Sequence, residues 1–121
     1  MCYRITKQFS FSASHVLEGL PEGHQCGRLH GHGYIVELEL ESLGLNAVGF
    51  VRDYGELKPF AQLIDEQFDH RHLNDVLDVQ PSAENLAKYF YQWCKQRWPE
   101  ISAVSVSETP KTWATYREED R

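Results

Sequence analysis

The sequence predicts an α+β fold, an antiparallel sheet covered by a pair of helices, with elements in the order strand, strand, helix, helix, strand, strand. Three observations predict it. Polar and apolar residues alternate over residues 3–15 and again over about 29–41; two apolar stripes at helical spacing fill the middle of the chain; and alternation returns after residue 101. Strands grouped at the two ends with helices between them suit one sheet with helices on one face.

In the first strand Tyr3, Ile5, Phe9, Phe11, Ala13 and His15 share one parity, broken by Lys7, and Arg4, Thr6, Gln8, Ser10, Ser12 and Ser14 take the other. Such a strand is half-buried, with His15 near its end on the apolar side. Gly19, Pro21, Gly23 and Gly27 make residues 16–28 a loop. The second strand, about Leu29 to Glu41, puts His30, His32, Tyr34, Val36, Leu38 and Leu40 on one face and Glu37, Glu39 and Glu41 on the other. After a turn around Gly44 and Asn46 and an extended piece from Val48 to Arg52, Leu57, Phe60, Ile64 and Phe68 mark a helix over Gly55 to Phe68. Leu86, Phe90, Trp93 and Cys94 mark a second over about Ala83 to Arg97, with Ser82 as N-cap and Pro99 as stop. Ile101 to Glu108 and Lys111 to Arg117 alternate as two strands joined by a turn at Thr109 and Pro110.

The 121 residues are expected to form one domain, 1–121, around one core. A net charge of −6 with no cluster of Lys or Arg argues against a nucleic-acid partner, which needs a basic stripe to displace counterions. Arg28, Arg71 and Lys111 are the local basic candidates for an anionic ligand. No apolar run is long enough for a membrane span and the N-terminus lacks the apolar core of a signal peptide, so a cytoplasmic protein is expected. Cys2, Cys26 and Cys94 are odd in number and irregular in spacing, as reduced thiols would be.

The chemistry concentrates in the histidines. Residues two apart in a strand project from one face roughly 6–7 Å apart, so His30 and His32 can converge on one ion. Gly31 and Gly33 clear the opposite face for the approach of another backbone, and His15, at the end of the neighbouring strand, completes a set of three. Three neutral imidazoles without a fourth protein ligand are the pattern of a catalytic zinc, which keeps a position open. The alternative is a set of satisfied polar residues at a strand end. His30, His32, Glu37 and Gly44 also have the spacing of a first cupin motif, but Glu37 lies an odd number of residues from His32 and so faces away from it, and the second motif is absent. His24 reads as a surface residue.

Cys26, four residues before His30, is open to two readings: a fourth ligand closing the site, or a base or nucleophile activated by the ion and Arg28. In Asp69-His70 an acid adjoins a histidine, which can set the tautomer for proton transfer; a histidine bonded to carbonyls at the helix end is the competing reading. Glu108 shares the parity of Val104 and Val106, and a carboxylate ending an apolar strand face needs a partner. A ligand with two adjacent N–H groups would satisfy both of its oxygens.

The pieces FSASH (11–15), CGRLHGHGY (26–34), GFVRDYGELK (49–58), FDHRHLN (68–74), PSAENLA (81–87) and SETP (107–110) together resemble the family of 6-pyruvoyl-tetrahydropterin and 6-carboxy-tetrahydropterin synthases, in order and over nearly the whole chain. The resemblance implies a tunnelling fold (T-fold), a four-stranded antiparallel sheet with two helices inserted between strands two and three. It implies that His15, His30 and His32 bind Zn2+, that Cys26 is the proton-abstracting base, and that His70 with Asp69 assists proton transfer. It further implies that Glu108, with Thr109 beside it, binds the 2-amino-4-oxo edge of a pterin triphosphate substrate. The family forms trimers, usually paired as hexamers, with active sites between subunits, so a homo-oligomer is expected. Only three residues separate Cys26 from His30, which resembles the 6-carboxy branch of queuosine and deazapurine synthesis. The implied reaction is carbon-carbon lysis of 7,8-dihydroneopterin triphosphate to 6-carboxy-5,6,7,8-tetrahydropterin, acetaldehyde and triphosphate. Pyruvoyl-tetrahydropterin formation, or a non-catalytic zinc or pterin-binding module closed by Cys26, are the alternatives.

Overall fold

A computed structural model describes residues 2–118. The two alternating segments form long strands, β1 (Tyr3–His15) and β2 (His30–Ser42), paired antiparallel along their whole length from Tyr3↔Ser42 to His15↔His30. That register sets His15 directly across from His30 and Ala13 across from His32.

The middle of the chain supplies β3 (Arg71–His72) and the helices α1 (Lys58–Leu63), α2 (Leu73–Val76) and α3 (Ala83–Lys95). β4 (Ile101–Thr109) and β5 (Thr112–Tyr116) follow, in a sheet of order β3-β1-β2-β4-β5. Val36 lies opposite Val106 and Leu38 opposite Val104, with a bulge between Glu39 and Leu40.

The apolar parity packs against the helices. Phe11 stacks on Tyr34 with centroids 4.9 Å apart, while Phe68 and Phe60 meet Phe90 edge-on at 4.8 and 5.3 Å. Offset and edge-on contacts of this kind add to the stabilisation that burial of the rings already provides. The other face of the sheet is polar: Gln8 bonds Glu37 at 2.9 Å, Arg4 pairs with Glu41 at 2.9 Å, and Ser105 bonds Thr115 at 2.7 Å. Ser82 caps α3, accepting from the Asn85 amide at 3.2 Å.

Besides the short helix α2, which no stripe announces, the structure departs from the predicted elements in three places. The sheet has five strands, because Arg71 and His72 pair in parallel with Ala13 and Ser14; two residues carry too short a pattern to announce a strand. The helix expected over 55–68 is composite: a 3-10 turn (Tyr54–Leu57) capped by Asp53, then α1, then a π-helical turn (Ile64–Phe68) closed by the Asp69 amide on the Ile64 carbonyl at 2.8 Å. One apolar stripe runs through all three, so periodicity alone does not separate them. The extended piece from Val48 to Arg52 forms no strand and instead turns on Asn46, whose side chain accepts from the amides of Val48 and Phe50.

Asn74, in α2, fixes how β1 ends. Its side chain accepts from the Val16 amide and donates to the Val16 carbonyl, both at 2.9 Å, a two-point clamp one residue past His15. Asn74→Ala removes both partners from a part-buried backbone, and the stability measured by urea unfolding is expected to fall by about 1–3 kcal/mol.

Candidate metal centre

His15, His30 and His32 come together because the register requires it: two lie on consecutive same-face positions of β2 and the third lies opposite one of them. One ligand nitrogen from each falls within 4.8 Å of the others, and the ring centroids stand 4.5, 5.2 and 4.6 Å apart. His15 is fully buried; the other two are half-buried.

The hydrogen bonds behind the rings decide which nitrogen is free. His15 Nδ1 donates to the Pro81 carbonyl at 2.7 Å, and His30 Nδ1 donates to the Arg28 carbonyl. Both N–H groups are thereby placed on Nδ1, and both Nε2 lone pairs point inward, where the two atoms lie 2.9 Å apart. Two lone pairs facing at that distance repel unless a proton or a metal ion lies between them. Zinc–nitrogen bonds of 2.0–2.1 Å in tetrahedral geometry put neighbouring donors about 3.3 Å apart, so the spacing suits such an ion with a small opening of the site. Burial lowers the His32 pKa, with Glu108 opposing and His30 and His15 reinforcing, which favours the neutral imidazole that ligates.

Among the described residues no cysteine or carboxylate joins this group. Cys26 is a free, half-buried thiol in the 3-10 turn Gln25–Gly27. Glu108 stands on the histidine side of the sheet, as its parity predicts, with a carboxylate oxygen 3.6 Å from His32 Nε2. Thr109 is engaged inside the β4–β5 turn, its hydroxyl 2.7 Å from that of Thr112 and its carbonyl accepting from Ser107.

Asp69 and His70 lie elsewhere, at the outer edge of β1. Asp69 accepts from the Ser12 amide at 2.9 Å and pairs with His70 Nδ1 at 3.0 Å, and the His70 amide donates to the Ser12 carbonyl at 2.6 Å. His70 is 82% exposed and is the one non-glycine with positive φ (59°) among the described residues, an uncommon left-handed conformation. The pair is thus built on the strand edge, and a helix-end histidine bonded to exposed carbonyls is not what is found. His72 is tied to the Ser14 hydroxyl at 2.9 Å and, with His70, lines an open groove that also includes Gly31, His32 and Gly33. The glycines do not admit a second backbone within this chain: a Cβ at Gly33 would meet nothing within 4 Å, and one at Gly31 would touch the Ala13 carbonyl at 3.6 Å.

The Ser12 amide, followed by the charge of His70, holds the Asp69 carboxyl below its ordinary range. A carboxylate with a depressed folded pKa stabilises the fold above its unfolded pKa of about 3.9 and loses that contribution as pH falls through the folded value. In thermal melts, wild type is therefore expected to exceed Asp69→Asn at pH 6, and the gap to close as pH drops below about 4.

The sequence does not announce the Pro81 and Arg28 carbonyls, which act through their backbone, or the role of Tyr34. The Tyr34 hydroxyl lies 3.1 Å from His15 Nδ1, and burial together with the Glu108 charge raises its pKa and keeps it protonated. Its place on the histidine parity was the one available signal.

A family described as 6-pyruvoyl tetrahydropterin synthase matches residues 4–119. A Bacillus subtilis 6-carboxy-5,6,7,8-tetrahydropterin synthase is 29% identical over 128 residues, covering 95% of this chain and 85% of its own. A Pyrococcus furiosus dihydroneopterin monophosphate aldolase is 31% identical over 96 residues, covering 79% and 78%. Among solved structures, Caenorhabditis elegans 6-pyruvoyl tetrahydropterin synthase superposes with a TM-score of 0.85 at 26% identity, covering 98% of this chain and 97% of that one.

Proposed function

This chain belongs to the 6-pyruvoyl tetrahydropterin synthase family, and from that premise we propose that it is a zinc-dependent 6-carboxy-5,6,7,8-tetrahydropterin synthase of queuosine (7-deazapurine) biosynthesis. The observation that carries the reading is the three-histidine centre with no fourth ligand among the described residues and with the Glu108 carboxylate 3.6 Å from His32. The substrate is 7,8-dihydroneopterin triphosphate. Its three-carbon side chain is cut after the first carbon, which gains an oxygen from one water and stays on the ring as carboxylate. The other two carbons leave as acetaldehyde, the triphosphate departs, and the two electrons released at the first carbon reduce the dihydropterin ring to the tetrahydro level. The short Cys26-to-His30 interval and the name of the Bacillus subtilis relative support this branch over pyruvoyl formation.

Zinc, when bound, supplies Lewis acidity toward the side-chain hydroxyls. Cys26 removes a carbon-bound proton as general base. Glu108 accepts two hydrogen bonds from the 2-amino-4-oxo edge, with Thr109 beside it, and so orients the ring. Asp69 holds His70 in one tautomer for proton relay. Because that pair stands exposed on the edge of β1, it would serve the thiol of a neighbouring copy, in a trimer or hexamer with active sites between subunits.

Incubating the metal-loaded protein with dihydroneopterin triphosphate and identifying products by mass spectrometry tests this. Acetaldehyde with 6-carboxytetrahydropterin is expected; pyruvoyl-tetrahydropterin without acetaldehyde would overturn it. A second reading draws on the Pyrococcus furiosus relative: aldol cleavage of a dihydroneopterin phosphate at the same carbon-carbon bond. It would leave a hydroxymethyl group on the ring and release a glycolaldehyde phosphate, which the same assay distinguishes when it is also run with dihydroneopterin monophosphate.

A further inference from the structure

Cys26 sits in a loop with no sheet ladder to hold it, yet both polar groups of its backbone are tied. Its carbonyl accepts from the Leu17 amide at 3.1 Å, in the segment that follows His15 and that Asn74 clamps at Val16. Its amide donates to the ring of His24, at Nδ1, over 3.1 Å. His24 opens the 3-10 turn Gln25–Gly27 in the place where a serine or aspartate oxygen usually accepts from the turn. The backbone of His24 is fixed as well, its amide on the Pro21 carbonyl and its carbonyl on the Gly27 amide, both at 3.0 Å. An accepting Nδ1 puts the ring hydrogen on Nε2 and defines the tautomer.

We infer that His24 is a positioning residue for the Cys26 thiol: its imidazole fixes the turn that carries the sulfur, while Leu17 fixes that turn to the strand carrying His15. The loop approaches through Gly19 and Gly23 at φ 79° and 84°, conformations that leave the backbone few constraints of its own. The imidazole is therefore the side-chain hold on the Cys26 amide, added to the backbone bonds that close the turn. The catalytic consequence rests on the reading of Cys26 as the base; the positional one does not.

The test measures iodoacetamide alkylation of Cys26 in the metal-loaded protein, resolved from Cys2 and Cys94 by peptide mass spectrometry, for wild type, His24→Ala and His24→Asn. Loss of the ring frees a half-buried thiol, so His24→Ala is expected to react at least about threefold faster. Asparagine can accept from the amide two residues on, so His24→Asn is expected to return to within about twofold of wild type. In the product assay His24→Ala should lower kcat with KM unchanged, and His24→Asn should restore it. An unchanged alkylation rate in His24→Ala, or a rate in His24→Asn equal to that of the alanine variant, overturns the inference. Wild type that shows no lyase activity while the alkylation rates follow the expected order would overturn the proposed function and leave the positioning role standing.

Discussion

Cys26→Ala is expected to lower kcat by about 10²–10⁴-fold, the usual contribution of a positioned general base, while zinc stoichiometry stays at the wild-type value. The separation follows from the geometry. The three histidine nitrogens form the metal group by themselves, and the thiol is not among them. Removing a half-buried sulfur from a turn held by backbone bonds should also leave the melting temperature nearly unchanged. Metal analysis and steady-state kinetics on the same preparation check the result. Zinc lost in step with activity would make Cys26 a ligand and end its assignment as the base.

The second large effect is expected at His30. Its Nε2 lies 2.9 Å from that of His15, so His30→Ala takes away a central donor and leaves two. Two imidazoles hold zinc poorly, and metal content after dialysis should fall to a small fraction of wild type. Activity should fall by about 10³-fold or more, the several kcal/mol that Lewis-acid stabilisation supplies. His30 is the informative choice because it is half-buried. His15 is fully buried and bonded to the Pro81 carbonyl, so its loss would mix metal binding with folding. Retained zinc with circular dichroism unchanged would remove His30 from the ligand set.

Strand parity made much of this site legible. Because the side-chain period of a strand is two, His15, His30, His32, Tyr34 and Glu108 could be assigned to one side of the sheet from spacing alone. The register adds only which of them stand opposite each other. Helix-period stripes likewise located the core, down to Phe60, Phe68 and Phe90. What the pattern could not carry was anything made by the main chain. The carbonyls of Pro81 and Arg28 orient two histidine rings, yet any residue at those positions presents a carbonyl. Short elements escape for a related reason: β3 spans two residues and α2 four, about one period of the signal that would reveal them and too little to show a repeat. His24 read as a surface residue because it lies in a loop outside any strand, and it is indeed exposed; its bond to the Cys26 amide depends on a loop conformation that residue types do not spell out.

The π-helical turn at Ile64–Phe68 makes chain length itself part of what places Asp69 and His70. An α-helix advances about 100° per residue, so a turn closed over five residues rather than four delivers Asp69 to the Ser12 amide one residue later than an ordinary helix would. A chain one residue shorter between Leu63 and Asp69 could regain a regular helix and keep every letter of the Asp69-His70 motif. Its acid and histidine would then leave the helix rotated away from the strand they serve. Two such chains would look alike to a search for residues and differ only by a gap, so in this segment an insertion or deletion moves the acid and histidine without changing either.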